Sequence, residues 1–372
     1  MFLNFLDRIK DQLEKGYPLV AYRHPKEVTV KAIFQKDKEL YFVEDFRESG
    51  FVFAPFDGEQ SPVLLKKDEF LSVAYPQENK LLNETTIFSE FDDLDKDFHL
   101  QMIEKGLDEI AEGTLDKVVL SRKLEVDTVK TPLETFHALL RKYPSAFCYI
   151  WYHPSVGLWL GATPEMLLQT ENKRFKTMSL AGTKLAVGEQ GPQWDKKELE
   201  EQGMVTEFIE AALADKVTSM TVSDTTAVRA GNLWHLKTSV SGLIGSCGLK
   251  EIISALHPTP AVCGLPKLKA KTFILNNENY NREYYTGFLG ELNFREDQRR
   301  PQPRRNQENR VYRTVKNKTA LYVNLRCLQW QDKKVMIYVG GGITNGSVPE
   351  DEWKETKHKS GTMLNVLFNK NY

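Results

Sequence analysis

The feature that most constrains the fold is residues 338–359, which read YVGGGITNGSVPEDEWKETKHK. The three glycines at 340–342 leave the backbone bare, so its N–H groups can approach an anion closely and adopt positive φ without strain. We therefore expect a glycine loop that binds an anionic group. Ser347 and Glu350 have capping-box spacing, and Pro349 suits a first helical turn. The spacing predicts a helix that begins at this point.

The predicted C-terminal helix carries Glu352, Glu355 and Lys359 on one face, because their spacing is i, i+3 and i+7. A solvated face with an ordinary ion pair between Glu355 and Lys359 is the simpler interpretation of these charges taken alone. A second acidic helix elsewhere in the chain changes that balance in favour of a functional site.

Residues 195–213 predict this second helix, on which Glu198 and Glu201 lie in line with the apolar Val205 and Phe208. Glu198 alone could complement the helix dipole. Glu201 lies deeper, where an unpaired carboxylate would be costly. If the two helices face each other, their carboxylates form an all-oxygen site. Such a site suits Mg²⁺, which keeps positions for water and substrate.

A magnesium ion in this site would need an anionic substrate. Four features are candidate partners for substrate carboxylates: the glycine segment, a predicted turn at Gly182 and Thr183, Arg326 on a predicted strand, and Lys359. Arg326 is the strongest candidate, since a guanidinium can bind a carboxylate through two hydrogen bonds.

Composition indicates a globular protein with a small-molecule partner. The chain has 372 residues, 41% of them hydrophobic, and 50 basic residues against 51 acidic ones, so we expect neither nucleic acid nor membrane as a partner. The N-terminus lacks the apolar run of a signal peptide, and no stretch approaches the roughly 18 apolar residues of a membrane span. The four cysteines are scattered, which favours reduced packing residues in a cytoplasmic protein.

Short apolar runs in residues 18–75 predict a succession of strands, and a helix is predicted over residues 97–112. Many antiparallel-type strands with a few long helices indicate an α+β fold in which helices cover sheets. The polar residues 76–96 are the best candidate for a connection. We expect a β-rich N-terminal part, residues 1–96, packed into the same globule as a main domain, residues 97–372.

Several ordered motifs resemble a known family over roughly residue 117 to the C-terminus. They read KVVLSR, ATPEMLL, LAGTK, KELEEQGMV, HLKTSVSG, HPTPAVCGLPK, REYYTGFLGEL, YVNLR and GGGITNGSVPEDEWKETKHK. The family is that of the chorismate-utilising enzymes: anthranilate synthase component I, aminodeoxychorismate synthase component I, isochorismate synthase and salicylate synthase. The resemblance implies large, mostly antiparallel sheets in α/β/β/α layers, and residues 97–372 as a chorismate-binding catalytic domain.

The resemblance also implies residue roles. In the members that add water to chorismate, the lysine of the KVVL motif, here Lys117, activates water at C2, and the glutamate of the T/S-P-E motif, here Glu165, protonates the departing C4 hydroxyl. Without the resemblance, Lys117 reads as a surface lysine at a strand edge and Glu165 as a turn residue. Both roles need a closed site, because a basic lysine and a protonated carboxyl both require shifted pKa values at neutral pH.

The implied ligand set is larger. Glu201 and Glu355 match the magnesium ligands of the family, with Glu198 and Glu352 supporting through water. The substrate would meet a set of pocket residues, with Tyr312 or a neighbour: Ala181, Gly182, Thr183, His235, Ala261, Arg326, Gly340, Gly341, Gly342 and Lys359.

Three positions discriminate among the branches of the family. Ammonia-using members have glutamine where this chain has Lys117, and aminodeoxychorismate synthases have a nucleophilic lysine where it has Ala181. Ala261 is typical of isochorismate synthases, whereas salicylate synthases tend to have threonine there. The prediction is a Mg²⁺-dependent isochorismate synthase without a glutaminase subunit. Salicylate synthase, which goes on to eliminate pyruvate, is the alternative. The fate of the product, in menaquinone, siderophore or salicylate synthesis, stays open.

A hypothesis of another class concerns the basic stretch 295–318, REDQRRPQPRRNQENRVYRTVKNK. Clustered arginines of this kind can bind nucleic acid or an acidic partner. The stretch has few aromatic residues, which favours a solvated loop instead. A non-catalytic binding domain is a third possibility, and the presence of the implied catalytic residues argues against it.

Overall fold

The computed structural model describes residues 1–76, 95–186, 191–231, 233–297, 315–332 and 334–368. Most of the predicted connection at 76–96 and of the basic stretch 295–318 lies outside these ranges, and so does Tyr312. The helices of the described residues are α1 (Phe2–Glu14), α2 (Lys96–Ala111), α3 (Pro132–Lys142), α4 (Lys196–Leu213), α5 (Leu249–Leu256), α6 (Lys267–Asn277) and α7 (Pro349–Phe368).

The strands form two large sheets. Their bounds are β1 (Leu19–Arg23), β2 (Thr29–Phe34), β3 (Tyr41–Phe42), β4 (Gly50–Ala54), β5 (Val63–Leu65), β6 (Glu69–Ala74), β7 (Lys117–Asp127), β8 (Phe147–His153), β9 (Gly157–Thr163), β10 (Met166–Glu171), β11 (Arg174–Leu185), β12 (Val217–Val222), β13 (Thr226–Ala230), β14 (Leu233–Ile244), β15 (Gly264–Leu265), β16 (Phe288–Asp297), β17 (Val315–Val323), β18 (Cys327–Gln331) and β19 (Lys334–Thr344).

The first sheet has the strand order β15-β7-β19-β18-β9-β8-β1-β2-β6, and the second has β12-β14-β11-β10-β17-β16-β4-β5-β3, with β13 also paired to β14. Strand pairs in the described part of the chain are antiparallel. The strands of the N-terminal part enter both sheets: β1 pairs with β8 in the first, and β4 pairs with β16 in the second.

An aromatic core joins the two sheets. Phe53 of β4 stacks on Tyr284 at 4.3 Å between ring centroids and also contacts Trp151 and Trp159 from the other sheet. Helices α1, α3 and α7 contribute to a core on the outer face of the first sheet, and α4 and α5 contribute to one against the second. The layers are therefore helices, sheet, sheet and helices, which confirms the predicted α+β fold.

The structure also bears on the cysteines and on membrane-spanning helices. All four cysteines are unpaired, and three of them are buried. Among the described residues, no helix combines the length and the apolar character that crossing a bilayer requires.

Glu291 of β16 is the centre of a buried polar cluster that ties the N-terminal strands to the second sheet. Its carboxylate accepts hydrogen bonds from Tyr22 Oη at 2.6 Å and Lys31 Nζ at 3.0 Å, and His24 Nε2 lies 3.2 Å away. Burial opposes the charged form, but His24, Lys31 and Tyr22 outweigh it and lower the pKa of Glu291 to about 2.

We expect Glu291→Gln to lower the free energy of unfolding by about 3 kcal/mol at neutral pH, because it removes a buried charge whose partners remain. The lowered pKa means that this stability is complete above the unfolded pKa of roughly 4.5 and is lost as the pH falls toward 2. Urea unfolding at pH 7 and pH 3 would measure both effects. Glu171→Gln, which removes an exposed carboxylate beside Lys316, is the control. An equal loss in both variants would contradict the prediction.

Candidate active site

A single cavity brings together most of the predicted site residues. Its walls come from β7 and β19 of the first sheet, from β11 and β14 of the second, and from helices α4 and α7. The predicted residues that line it are Glu165, Ala181, Gly182, Thr183, Glu201, His235, Ala261, Arg326, Gly340, Gly342, Glu355 and Lys359.

Glu165 lies in the connection between β9 and β10 and is 4% exposed. Its backbone is held on both sides, since its N–H donates to Thr163 Oγ1 and its carbonyl accepts from the Val323 N–H. Burial raises the pKa of Glu165 to about 8, against the opposing effect of Lys117, Lys359 and Arg326. At neutral pH this carboxyl is therefore protonated and can donate a proton into the cavity.

Lys117 begins β7 and is completely buried, so the reading as a surface lysine at a strand edge is wrong. Its Nζ donates to Glu201 Oε1 at 2.8 Å. The lysine does not itself line the cavity, whereas Glu201 does. Burial raises the pKa of Glu201, but Lys117 and then Lys359 and Lys197 outweigh it and lower that pKa. Lys117 and Glu201 form an ion pair near the N-terminal end of α4.

Three glutamates on α4 and α7 each pair with a lysine. Lys117 pairs with Glu201, Lys359 pairs with Glu355 at 2.6 Å, and Lys197 pairs with Glu352 at 2.6 Å. The ion pair between Glu355 and Lys359 is the one that the i, i+4 spacing predicted. Glu352 is 3% exposed, and both burial and the neighbouring charge of Glu355 raise its pKa.

The glycine segment is a strand, not a loop as predicted. Gly340, Gly341 and Gly342 lie inside β19, paired with residues 119–121 of β7, and none of them has positive φ. Strand β18 pairs with β19 only as far as Tyr338, so among the described strands one edge of the segment has no partner. Lys359 Nζ donates to Gly340 O at this segment.

What the glycines provide is space for the carboxylates. A Cβ on Gly342 would lie 2.6 Å from Glu201 Oε1, and a Cβ on Gly341 would lie 3.6 Å from Glu352 Oε2 and 3.8 Å from Glu355 Oε1. The two glycines are successive residues of a strand, so the bare positions lie on opposite faces, with Glu201 beside Gly342 and Glu352 and Glu355 beside Gly341. A side chain on Gly342 would displace Glu201.

Helix α7 begins at Pro349 as predicted, without the predicted capping box. Ser347 Oγ accepts from the Thr344 N–H, and Glu350 pairs with Lys96 of α2. Capping boxes are found instead on α3, with Thr131 and Glu134, and on α4, where Glu198 Oε2 accepts from the Asp195 N–H at 3.1 Å. Glu198 is thus directed to its own helix terminus and does not line the cavity.

His235 and Arg326 form a second charged corner of the cavity. His235 Nδ1 lies 3.1 Å from Gly182 O, and its Nε2 lies 2.7 Å from Arg326 Nη2. Because a carbonyl only accepts and a guanidinium only donates, the imidazole is neutral with its proton on Nδ1. Burial, then Arg326 and Lys359, hold the pKa of His235 well below its usual range, in agreement with that tautomer.

Two backbone expectations at this corner are wrong. Arg326 lies between β17 and β18 with φ of 48°, not on a strand, and its Nη1 donates to Ala230 O. Gly182 lies at a bulge inside β11, with φ of 68°, where the register against β14 shifts, and not in a turn. The bulge directs the Gly182 carbonyl to His235.

Sequence profiles of known families decide what kind of protein carries this site. Residues 59–298 match a profile described as chorismate binding enzyme, and residues 311–365 match a second profile with the same description. The chain belongs to the chorismate-binding enzyme family. The resemblance inferred from the ordered motifs is confirmed.

Individual chorismate-binding enzymes are similar over most of the chain. Isochorismate synthase DhbC of Bacillus subtilis is 29% identical over 295 residues, which are 71% of this chain and 66% of that protein. A structure from Bacillus anthracis, assigned as a 2,3-dihydroxybenzoate-specific isochorismate synthase, superposes with a TM-score of 0.76 at 22% identity, covering 96% of this chain and 99% of that one. The menaquinone-specific isochorismate synthase of Escherichia coli gives 0.72 at 21% identity, covering 95% and 89%. At these identities the structures establish the shared fold.

The carboxylates of this chorismate-binding enzyme fit a hard cation by donor type. In the described ranges, no three acidic, histidine or cysteine side chains converge into a metal-binding group. Mg²⁺ does not require one, since it is commonly held by one or two carboxylates and completes its shell with water and substrate oxygens. Glu201 and Glu355, which face the cavity from two helices, meet that requirement, with Glu352 behind them.

Tyr285 and Lys197 are among the residues of the site that the sequence analysis missed. Tyr285 lines the cavity next to Gly340, where an added Cβ would lie 3.0 Å from its Oη. It belongs to the quoted REYYTG motif, which was the available signal. Lys197 binds Glu352 from the neighbouring helix, and its only signal was its place directly before the Glu198 of the KELEEQ motif.

Proposed function

We propose that this protein is an isochorismate synthase, which converts chorismate to isochorismate. The isochorismate synthases named above, similar over most of this chain, support the activity. In the chain itself, the observation that carries the proposal is Glu165, a buried carboxyl with a pKa of about 8 that faces a cavity containing cations for an anionic substrate. A proton donor of this kind is what the departure of a hydroxyl requires.

The reaction needs one base and one acid. Lys117 accepts a proton from the water whose oxygen bonds to C2, the ring double bonds shift, and the bond between C4 and its hydroxyl breaks as Glu165 delivers a proton to that oxygen. The elements of water are gained at C2 and lost at C4, so the conversion is an isomerisation. Lys117 acts as a base only as the neutral amine, so its ion pair with Glu201 has to open beforehand.

The carboxylates of the substrate are held by the remaining cations. Arg326 is oriented by His235 and by the Ala230 carbonyl, which leaves part of its planar guanidinium for a carboxylate in the cavity. Lys359 reaches the cavity from α7, beside the open edge of the glycine segment. A neutral His235 serves this arrangement, because a protonated ring would repel Arg326.

We propose Mg²⁺ as the cofactor, held by Glu201 and Glu355 with support from Glu352. Glu198 is left out of this set because of its helix-capping contact. When bound, the cation neutralises and orients a substrate carboxylate.

We also place the protein in the cytoplasm. Four unpaired cysteines, three of them buried in the cores, support a reducing compartment.

Incubation of the purified protein with chorismate and Mg²⁺, followed by chromatography and a pyruvate assay, tests the proposal. A mixture of chorismate and isochorismate without pyruvate is expected. Salicylate with an equimolar amount of pyruvate would identify a salicylate synthase instead, and unreacted chorismate would contradict both activities.

Chelation tests the cofactor separately. Turnover should fall at least about tenfold in excess EDTA, because the substrate carboxylate loses its counter-charge, and added Mg²⁺ should restore it. Initial rates measured over a Mg²⁺ titration would show both effects. Glu355→Gln should need more Mg²⁺ for half-maximal rate, whereas the exposed Glu350→Gln on the same helix should not. Full activity in excess chelator would overturn the magnesium assignment.

A further inference from the structure

Lys197 joins the first turns of the two helices that carry the carboxylates. It lies on α4, and its Nζ is 2.6 Å from Oε1 of Glu352 on α7. The glutamate side chain is 4% exposed and the lysine side chain is 35% exposed, so the ammonium covers a buried carboxylate from the solvent side. Lys197 does not line the cavity, and its ammonium contacts the carboxylate of Glu352.

The charge of Lys197 interacts with three carboxylates, those of Glu352, Glu355 and Glu201. Burial disfavours its charged form, but the carboxylates of Glu352, Glu355 and Glu201 outweigh this and raise the pKa of Lys197. With Lys117 on Glu201 and Lys359 on Glu355, three ammonium groups balance three carboxylates. The arrangement is neutral before any other cation arrives.

We propose that Lys197 is a built-in counter-cation of these three carboxylates. It holds Glu352 in the metal-free protein, and its positive charge repels a divalent cation that binds the carboxylates. The inference rests on the magnesium assignment made above. Two effects follow from elementary electrostatics. The positive charge of Lys197 weakens divalent-cation binding, and its ion pair stabilises the junction of α4 and α7 when no cation is bound.

A Mn²⁺ titration of the full, chelator-treated chain tests the first effect without any turnover. The electron paramagnetic resonance signal of the free ion measures how much Mn²⁺ is bound. Lys197→Gln keeps a hydrogen-bond donor for Glu352 but removes the charge. We expect its Mn²⁺ dissociation constant to fall roughly tenfold. Lys197→Arg keeps the charge and should stay within about threefold of wild type. Lys196→Gln is the matched neighbour: the Lys196 side chain is 89% exposed and pairs with Glu200 of its own helix.

Thermal unfolding tests the second effect. Lys197→Gln should unfold at a lower temperature than wild type without metal, and Mn²⁺ should raise its midpoint by more than it raises that of wild type. If Lys197 only supported the structure, the Mn²⁺ dissociation constant of Lys197→Gln should rise, since a disordered site binds metal less well. An unchanged or larger dissociation constant for Lys197→Gln beside saturable wild-type binding would overturn the proposal alone. Absence of saturable binding to wild type would overturn it together with the magnesium assignment, while the chorismate assay would still report on the activity.

Discussion

Glu165→Gln should abolish the conversion of chorismate, with kcat lower by about 10²- to 10⁴-fold. The amide has the shape of the carboxyl group but has no proton of suitable acidity, so the C4 hydroxyl would have to leave unassisted. Glu165 is buried in the cavity wall with its backbone fixed at both sides, and the substitution should leave the fold intact. Chromatographic rates with circular dichroism spectra of both proteins would measure the effect.

Glu283→Gln is the control for this substitution. Glu283 is partly buried and, like Glu165, has a raised pKa, but it accepts a hydrogen bond from Gln329 and does not line the cavity. Its variant should turn over chorismate like wild type. Wild-type turnover in Glu165→Gln would remove Glu165 from the mechanism.

The raised pKa of Glu165 also predicts a pH profile. A general acid works in its protonated form, which predominates below a pKa of about 8 and disappears above it. We therefore expect kcat/KM to fall as the pH rises through about 8. If kcat/KM instead fell near the ordinary glutamate pKa of about 4.5, burial would not control the pKa of Glu165.

Lys117→Met should lose activity to a similar extent, at least about 10²-fold, because it removes the proposed base that accepts the proton of water. It should also lower the free energy of unfolding by about 3 kcal/mol, since Glu201 would keep a largely buried carboxylate without its ammonium. Steady-state kinetics and urea unfolding separate the two losses. Lys123→Met, an exposed position on the same strand, is the control for both.

The double variant Lys117→Met with Glu201→Gln tests whether the loss of stability comes from the unpaired carboxylate of Glu201. Neutralising the glutamate removes the unpaired charge, so stability should return toward wild type, while activity stays absent because the variant lacks both the proposed base and a proposed magnesium ligand. Recovery of turnover together with stability would mean that Lys117 serves only to neutralise Glu201.

Periodicity was a good guide to the helices and to their acidic faces. The predicted bounds of α2 differ from the observed ones by one residue at each end, and those of α4 by one residue at the N-terminus. Glu201, Glu355 and Lys359, identified by their spacing, all line one cavity. These are properties of a single element, which a local pattern can reveal. Glu198 shared the same pattern but caps its helix, because the choice between cap and cavity depends on where the rest of the fold approaches.

Other errors arose where tertiary pairing overrides local preference. Three successive glycines predict a loop, yet here they form a strand, because β7 pairs with them and the carboxylates beside them require the space. Lys117 and Glu165 could not be assigned from their residue type and spacing at all, since their burial is created by distant segments. Only the family resemblance identified them. Lys197 was missed because a lysine in a first helical turn reads as solvated until the facing helix is known.

The pairing of β4 with β16 has a consequence for how the chain folds. The partners are about 240 residues apart in sequence, and β4 is an interior strand of its sheet, flanked by β16 and β5. During synthesis the N-terminal strands must therefore wait, with their aromatic residues exposed, until most of the chain has emerged. Long-range antiparallel pairing of this kind slows folding and leaves edges open to association. The N-terminal segment is thus the part of a nascent chain that would most need a chaperone.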